Sequence, residues 1–305
     1  MRIFHKGLLD IFILAMLWGP SFVFIKIALS DVTPITIVTL RIGLGALFLY
    51  LFLKWKRIVI PKNRALWMHG FVLGLFANSL PFMCFNYALQ TISTSLSALI
   101  NGTTPILTIL LANIFLKDEP LTWNRGIGVI IGLSGFLVLF LPAVLGLDVG
   151  GDTFGMFFSF LGASSYSIGM IYGRLFVQHA PAYIAPMLQL FTSVFYLIPI
   201  AFVIEDPIPV LQKASLSTWG AMVGLAFLGT TLAFIMYYRI LLKQGATALS
   251  MVTYLLPIIG TILGVVFLHE RIGLHFVAAA LLILCGVLVV NGALPKFKRQ
   301  KEEKV

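Results

Sequence analysis

The chain has 305 residues, 60% of them hydrophobic and only 10% charged, with a mean hydropathy of +1.03. A soluble chain would carry about 25% charged residues, so a water-soluble globular domain is excluded and a polytopic membrane protein is expected. A net charge of +10 is also a mark of nucleic-acid binders. Basic connections facing an anionic leaflet explain it better, so the partners expected are a lipid bilayer and a small-molecule substrate, with no nucleic acid.

A bilayer-crossing helix needs about 20 mostly apolar residues. Windows of that size predict ten spans with short connections: 8–29, 34–53, 66–88, 92–116, 124–142, 153–173, 182–204, 217–238, 246–267 and 273–292. The first is a span rather than a cleaved signal, because further spans follow and no small-residue cleavage motif does. It carries Trp18 and Phe22 on one face, with Lys26 near its far end. The second carries Arg41 about two helical turns from its start, roughly 10 Å by helix rise. The third offers Asn78, Phe82 and Asn86 at a spacing of four, which puts them on one helical face. The fourth holds Asn101-Gly102-Thr103-Thr104-Pro105.

In the fifth span Gly128 and Gly132 form a small-xxx-small pair, with Ala279 and Ile283 a weak match in the tenth. These faces are expected to pack together, within a monomer or across a homodimer. The sixth span carries Tyr166 and Met170 on one face, and the ninth holds Thr253-Tyr254-Leu255-Leu256-Pro257. Trp67, Trp123 and Trp219 begin spans three, five and eight, as interface anchors do. Cys84 and Cys285 lie in apolar runs and are expected to be buried thiols. The only polar tail is Lys296 to Val305.

Two features organise this order. With Pro105 laid on Pro257, Ile106 meets Ile258, Leu111 meets Leu263, Phe115 meets Phe267, and Asp118 meets Glu270. An apolar helix with a proline inside and an acid past its end therefore occurs twice. At a shift of 148, Trp18 meets Tyr166 and Lys26 meets Arg174. The second feature is charge. With the N-terminus inside, 17 of the 21 Lys and Arg fall in cytoplasmic segments, while only Lys213 and Arg271 fall outside and Lys26 and Arg41 lie within spans. Both termini are then cytoplasmic. Five spans per copy force the copies to insert with opposite polarity, and such inverted repeats commonly place substrate near the midplane. The expected fold is an all-α membrane protein of ten transmembrane helices in two inverted five-helix repeats, residues 1–146 and 147–305.

The chain resembles the EamA branch of the ten-span drug/metabolite transporter superfamily. The residues that carry the resemblance are Trp18-Gly19-Pro20-Ser21-Phe22, Arg41, the run from Ala88-Leu89 through Ser97-Ala98 to Pro105 and on to Leu116–Glu119, and its second copy. That copy runs from Gly245-Ala246 through Pro257 to Leu268-His269-Glu270-Arg271. Pro105 to Glu119 is one residue longer than Pro257 to Glu270, so Asp118 and Glu119 both compete for the acidic place. The resemblance implies export or exchange of small metabolites such as amino acids across the bacterial inner membrane.

Nothing in the sequence favours an enzyme. His269-Glu270 lacks the second histidine of a metalloprotease helix, and there is no Cys-x-x-Cys or Gly-x-Ser-x-Gly. The acids, Asp10 and Asp31 among them, fall at expected span ends or in loops, so no intramembrane carboxylate pair is available. No metal site and no cofactor are expected. The same scarcity leaves no carboxylate proton relay at the midplane, so facilitated transport or exchange is expected. His69 and His275 are read as satisfied interfacial histidines.

Candidates for a substrate-binding lining are Trp18, Phe22, Arg41, Asn78, Phe82, Asn101, Thr104, Tyr166, Met170, Thr253 and Tyr254, with Pro105 and Pro257 as hinges. Aromatic walls with a few uncharged donors and acceptors suit an uncharged or zwitterionic metabolite. Each residue also has a plainer reading as interhelical bonding or packing. Arg41 either attracts a substrate anion or holds carbonyls or the Asp31 loop; Lys26 snorkels. Two alternatives stand beside a secondary transporter. A carrier or flippase for phosphorylated or nucleotide-linked substrates needs more cations facing the cavity, and a membrane scaffold or receptor would be expected to carry a soluble domain.

Overall fold

The computed structural model describes residues 2–116, 121–145, 152–177, 183–250 and 252–290, and all regular structure among them is helical. The first expected span is two helices, α1 (Arg2–Trp18) and α2 (Ser21–Ala28), parted at Gly19-Pro20. The second is α3 (Pro34–Trp55), which opens on a proline where the missing N–H costs nothing. The third comprises α4 (Arg64–Leu73) and α5 (Leu80–Thr91), joined by a wide π-helical turn, π1 (Gly74–Ser79). The fourth is α6 (Thr94–Asn101) and α7 (Thr104–Phe115). Next come α8 (Trp123–Val144), α9 (Thr153–Phe176), α10 (Ile184–Ile204) and the short α11 (Pro207–Lys213).

The eighth span repeats the design of the third: α12 (Leu216–Ala226), π2 (Phe227–Leu232) and α13 (Ala233–Ser250). The chain then forms α14 (Val252–Leu268) and α15 (Leu274–Val290). Among the described residues eight helices are long and apolar enough to cross a membrane, counting those continued through a break as one. Two further apolar segments, Leu255–Leu268 and Leu274–Gly286, are shorter.

The helix pairs follow the duplication. α8 packs on α15, α3 on α10 and α6 on α14, each joining matching helices of the two copies. α5 packs on α9, which is matched in reverse by α13 on α1. Exchanging the copies returns the same pairs.

The pair α8–α15 approaches backbone to backbone. A Cβ on Gly286 would stand 2.6 Å from the Gly128 carbonyl oxygen, and one on Gly135 would stand 2.9 Å from the Ala279 carbonyl oxygen. As numbers rise along α8 they fall along α15, so the pair is antiparallel. The small-residue faces therefore meet within one chain.

Carboxylates hold one end of the bundle by capping helix N-termini, whose first N–H groups lack partners. Glu205 accepts from Ile35 N (2.9 Å) and Thr36 N (2.7 Å) at the start of α3. Glu270 accepts from Thr94 N (2.6 Å) and Ser95 N (2.9 Å) at the start of α6. Asp31 accepts from Ser215 Oγ and Thr218 Oγ1, both at 2.6 Å, and from Ser215 N at 3.0 Å, at the start of α12. These bonds, Ser215 Oγ first, hold the Asp31 carboxyl well below the usual aspartate range. Each clamp crosses from one copy to the other.

Several expectations need correcting. Cys84 is buried, but Cys285 is exposed on the side of α15 away from the core. Lys26 does not snorkel: its Nζ donates to Leu89 O (2.6 Å) and Ile92 O (3.2 Å), closing the end of α5. Asp10 does lie at the end of the first apolar stretch, Leu9–Ala28, and there it is buried and paired with Arg239 Nε at 3.1 Å. Asp118 and Glu119 lie outside the described residues.

Candidate functional site

Helices of both copies, broken ones among them, converge on one chamber. Trp18 lies at the end of α1 and Phe22 in α2, so the Gly19-Pro20 break sits in the wall between them. Arg41 enters from α3, Phe82 from α5 and Asn101 from the last residue of α6. Tyr166 and Met170 reach it from α9, and Thr253 from α14. Both copies therefore contribute to one lining. The chamber holds about 30 Å³, room for one or two water molecules.

Its wall is an aromatic nest. Trp18 stacks on Tyr166 with ring centroids 6.3 Å apart and meets Tyr237 at 5.9 Å. Phe85 lies 5.8 Å from Tyr166 and 5.6 Å from Phe22. These spacings are those of favourable aromatic pairs.

Arg41 is 3% exposed. Its Nε donates to Thr230 Oγ1 at 2.9 Å, and a terminal nitrogen donates to Gly229 O at 3.0 Å. Its guanidinium carbon stands 3.7 Å from the centroid of Phe82, a cation–π contact. Trp18 Nε1 donates to the same Gly229 oxygen at 3.1 Å. The wide turn explains this convergence. A π turn bonds residue i to i+5, so carbonyls are displaced from the regular ladder and become available to side chains. Arg41 thus holds a carbonyl, as one reading expected, but that of π2 rather than one near Asp31. It also lines the chamber, as the other reading requires.

Other expected lining residues lie elsewhere. Asn78 is fully buried in π1 but does not reach the chamber, and neither its amide nitrogen nor its oxygen has a partner. On a regular helix Asn78 would share the face of Phe82. The wide turn admits an extra residue and rotates Asn78 off the face of Phe82. Asn86 donates to Pro34 O at 3.0 Å and ties α5 to α3. Thr104 bonds Asn101 O at 2.7 Å across the helix break, outside the lining. The Tyr254 side chain lies outside the described residues. His69 Nδ1 meets Tyr172 OH at 2.8 Å, away from the chamber.

Pro105 stands in the first turn of α7, two residues after the break at Gly102-Thr103, whereas Pro257 lies inside the continuous α14. The matched prolines therefore sit in different local structures. Sequence reasoning missed four lining residues: Ser21, Ile25, Phe85 and Leu256. Ser21 and Ile25 follow Trp18 at steps of three and seven, so helical spacing could have found them. Leu256 follows Thr253 by three.

A helical membrane bundle with matching halves closing on a shared interior chamber is the architecture of a transport protein. The family comparison agrees. Residues 5–141 and 153–292 each match the EamA-like transporter family, and the chain belongs to that family. Over 287 residues it is 24% identical to YoaV of Bacillus subtilis, named as an uncharacterized transporter, covering 93% of this chain and 96% of that protein. It is 22% identical to YedA of Escherichia coli K12, named as an uncharacterized inner membrane transporter, covering 92% of this chain and 90% of that protein. A solved crystal structure at 22% identity superposes with a TM-score of 0.66 over 93% of this chain and 96% of its own length, which shows the fold. The chain is a multi-pass membrane transporter and not an enzyme.

Proposed function

We propose that this transporter carries small amphipathic metabolites, of the size of amino acids, by alternating access through the shared chamber. The observation that carries the reading is the lining itself. Trp18, Phe22, Arg41, Phe82 and Asn101 come from the first copy, and Tyr166, Met170 and Thr253 from the second, so moving one copy against the other remakes the site. Small-molecule sites run to about 300 Å³ or more. The chamber's 30 Å³ is therefore a contracted state, and loading requires it to widen.

In this reading α14 and α15, 17 residues each, are spans nine and ten, since about 17 residues can suffice to cross. The halves 1–146 and 147–305 insert with opposite polarity, both termini are cytoplasmic, and the membrane is the cell's inner membrane. A carrier of phosphorylated or nucleotide-linked substrates is disfavoured, because among the described residues Arg41 is the only cation in the lining and Lys26 is committed to Leu89 and Ile92.

The test is labelling of Thr253→Cys, in a chain whose Cys84 and Cys285 have been replaced, with a membrane-impermeant maleimide applied to either face of oriented vesicles. Labelling from both faces is expected. Labelling from neither face or from one face only would overturn alternating access through this chamber.

A further inference from the structure

We infer that the ligand of the chamber is a small organic monoanion, its carboxylate docked between Arg41 and Ser21, in preference to a zwitterion of the same shape. The inference deepens the function proposed above and rests on the chamber being the substrate site.

The first observation is an uncompensated charge. Arg41 is buried, yet both groups that accept from it, Thr230 Oγ1 and Gly229 O, are neutral. Among the described residues no Asp or Glu lines the chamber, and the acid–base pair Asp10–Arg239 lies outside that lining. A guanidinium offers five N–H donors in a fixed fork that matches a carboxylate, and two of the five are used. A charged side chain inside a membrane ordinarily pairs with another group or marks a substrate path.

The second observation is independent. The Ser21 hydroxyl is buried in the same lining and has no hydrogen-bond partner among the described residues. A buried polar atom without a partner is costly and calls for one. Ser21 Oγ and an Arg41 terminal nitrogen converge on one piece of wall. A Cβ placed on Gly229 would stand 2.6 Å from the first and 3.4 Å from the second. The Ser21 hydroxyl and the Arg41 fork are thus near neighbours, and both belong to the lining that a carboxylate would face.

Charge balance then sorts the ligands. A monoanion brings the occupied chamber to neutrality. A zwitterion leaves the positive charge of Arg41 uncancelled and adds an ammonium with no carboxylate to receive it. That ammonium also repels Arg41 through a medium of low dielectric. A phosphomonoester dianion overshoots, leaving one negative charge without a partner. The remaining wall, Trp18, Phe22, Phe85 and Tyr166, is aromatic and suits an apolar body.

The experiment measures binding to the purified full chain in lipid nanodiscs by calorimetry, using four probes with one aromatic body: 3-phenylpropionate, phenylalanine, 2-phenylethylamine and 3-phenylpropanol. We expect 3-phenylpropionate to bind at least tenfold more tightly than each of the others. We expect Arg41→Gln to erase that order and Arg41→Lys to keep it. Ser21→Ala should weaken the anion several-fold and leave the alcohol unchanged. The wild-type order decides the matter even if Arg41→Gln does not fold. Phenylalanine binding as tightly as 3-phenylpropionate would overturn the inference, as would binding of none of the four. Neither result touches the labelling at Thr253→Cys, by which transport through the chamber stands or falls separately.

Discussion

The wide turns π1 and π2 occupy matching places in the two copies, 153 residues apart at their starts, Gly74 and Phe227, yet they are served differently. In π2 the Gly229 carbonyl takes donors from Trp18 and Arg41. The Thr230 and Thr231 hydroxyls turn back to Leu225 O and Ala226 O, five residues earlier, and Thr231 also reaches Gly45 O. In π1 the Phe76 carbonyl takes only a serine hydroxyl, Ser165 Oγ at 2.8 Å. Gln189, which stands where Arg41 falls at the shift of 148, accepts from Tyr238 OH at 2.8 Å and leaves its Nε2 unpaired. The same backbone device is thus completed by a cation in one copy and by neutral groups in the other. The two turns share their geometry, and the difference between Arg41 and Gln189 sets the charge.

The largest expected effect breaks π1 directly. A Cβ on Gly74 would stand 2.7 Å from the Gln189 carbonyl oxygen, backbone that cannot step aside. Gly74→Val is expected to lower stability by about 3 kcal/mol, the upper end for overpacking, read as a lower melting temperature. Gly229→Ala meets chiefly the rotatable Ser21 hydroxyl and should lose less than half as much. Next, Asn78→Leu removes two unpartnered polar atoms from a buried place and should raise stability by about 1–2 kcal/mol. A loss of that size would show that Asn78 has a partner in the working protein.

Smaller still is the difference between Ser165→Ala and Trp18→Phe. The first leaves Phe76 O without its side-chain donor and should cost about 1 kcal/mol. The second leaves Gly229 O its bond from Arg41, so its hydrogen-bond cost should be the smaller of the two, and equal costs would contradict the contrast between the turns. The smallest effect lies away from both turns. The Asp31 carboxyl is held below its usual range by Ser215 and Thr218, so its clamp is fully present above about pH 4, the unfolded aspartate value. Its contribution is lost as pH falls through the lower folded value. Melting curves should show a fall in stability in that acid range that Asp31→Asn lacks.

Much of this was legible in the sequence. The apolar windows found every membrane-length helix, and the register of Pro105 on Pro257 exposed the duplication. Trp18 with Phe22 and Tyr166 with Met170 followed from helical spacing, and they do line one chamber. What escaped is local deviation from that spacing. Nothing in Gly74–Ser79 announces a π turn, so Asn78 was placed on the wrong face. Glu205 and Glu270 were placed at span ends, but which N-terminus each would cap depends on how the copies meet, which no local pattern encodes. Arg41 carries two readings as the other candidates do, and it both holds the Gly229 carbonyl and lines the chamber.

The seam between α8 and α15 also bears on how the protein is made. It joins the last helix of each copy, so the glycine face of α8 waits uncovered until the C-terminal helix has been synthesised. The first copy therefore cannot finish assembling as it leaves the ribosome. Removing α15 would leave Gly132 and Gly135 facing lipid or another chain, and the same burial keeps that stripe from recruiting a second copy once synthesis is complete.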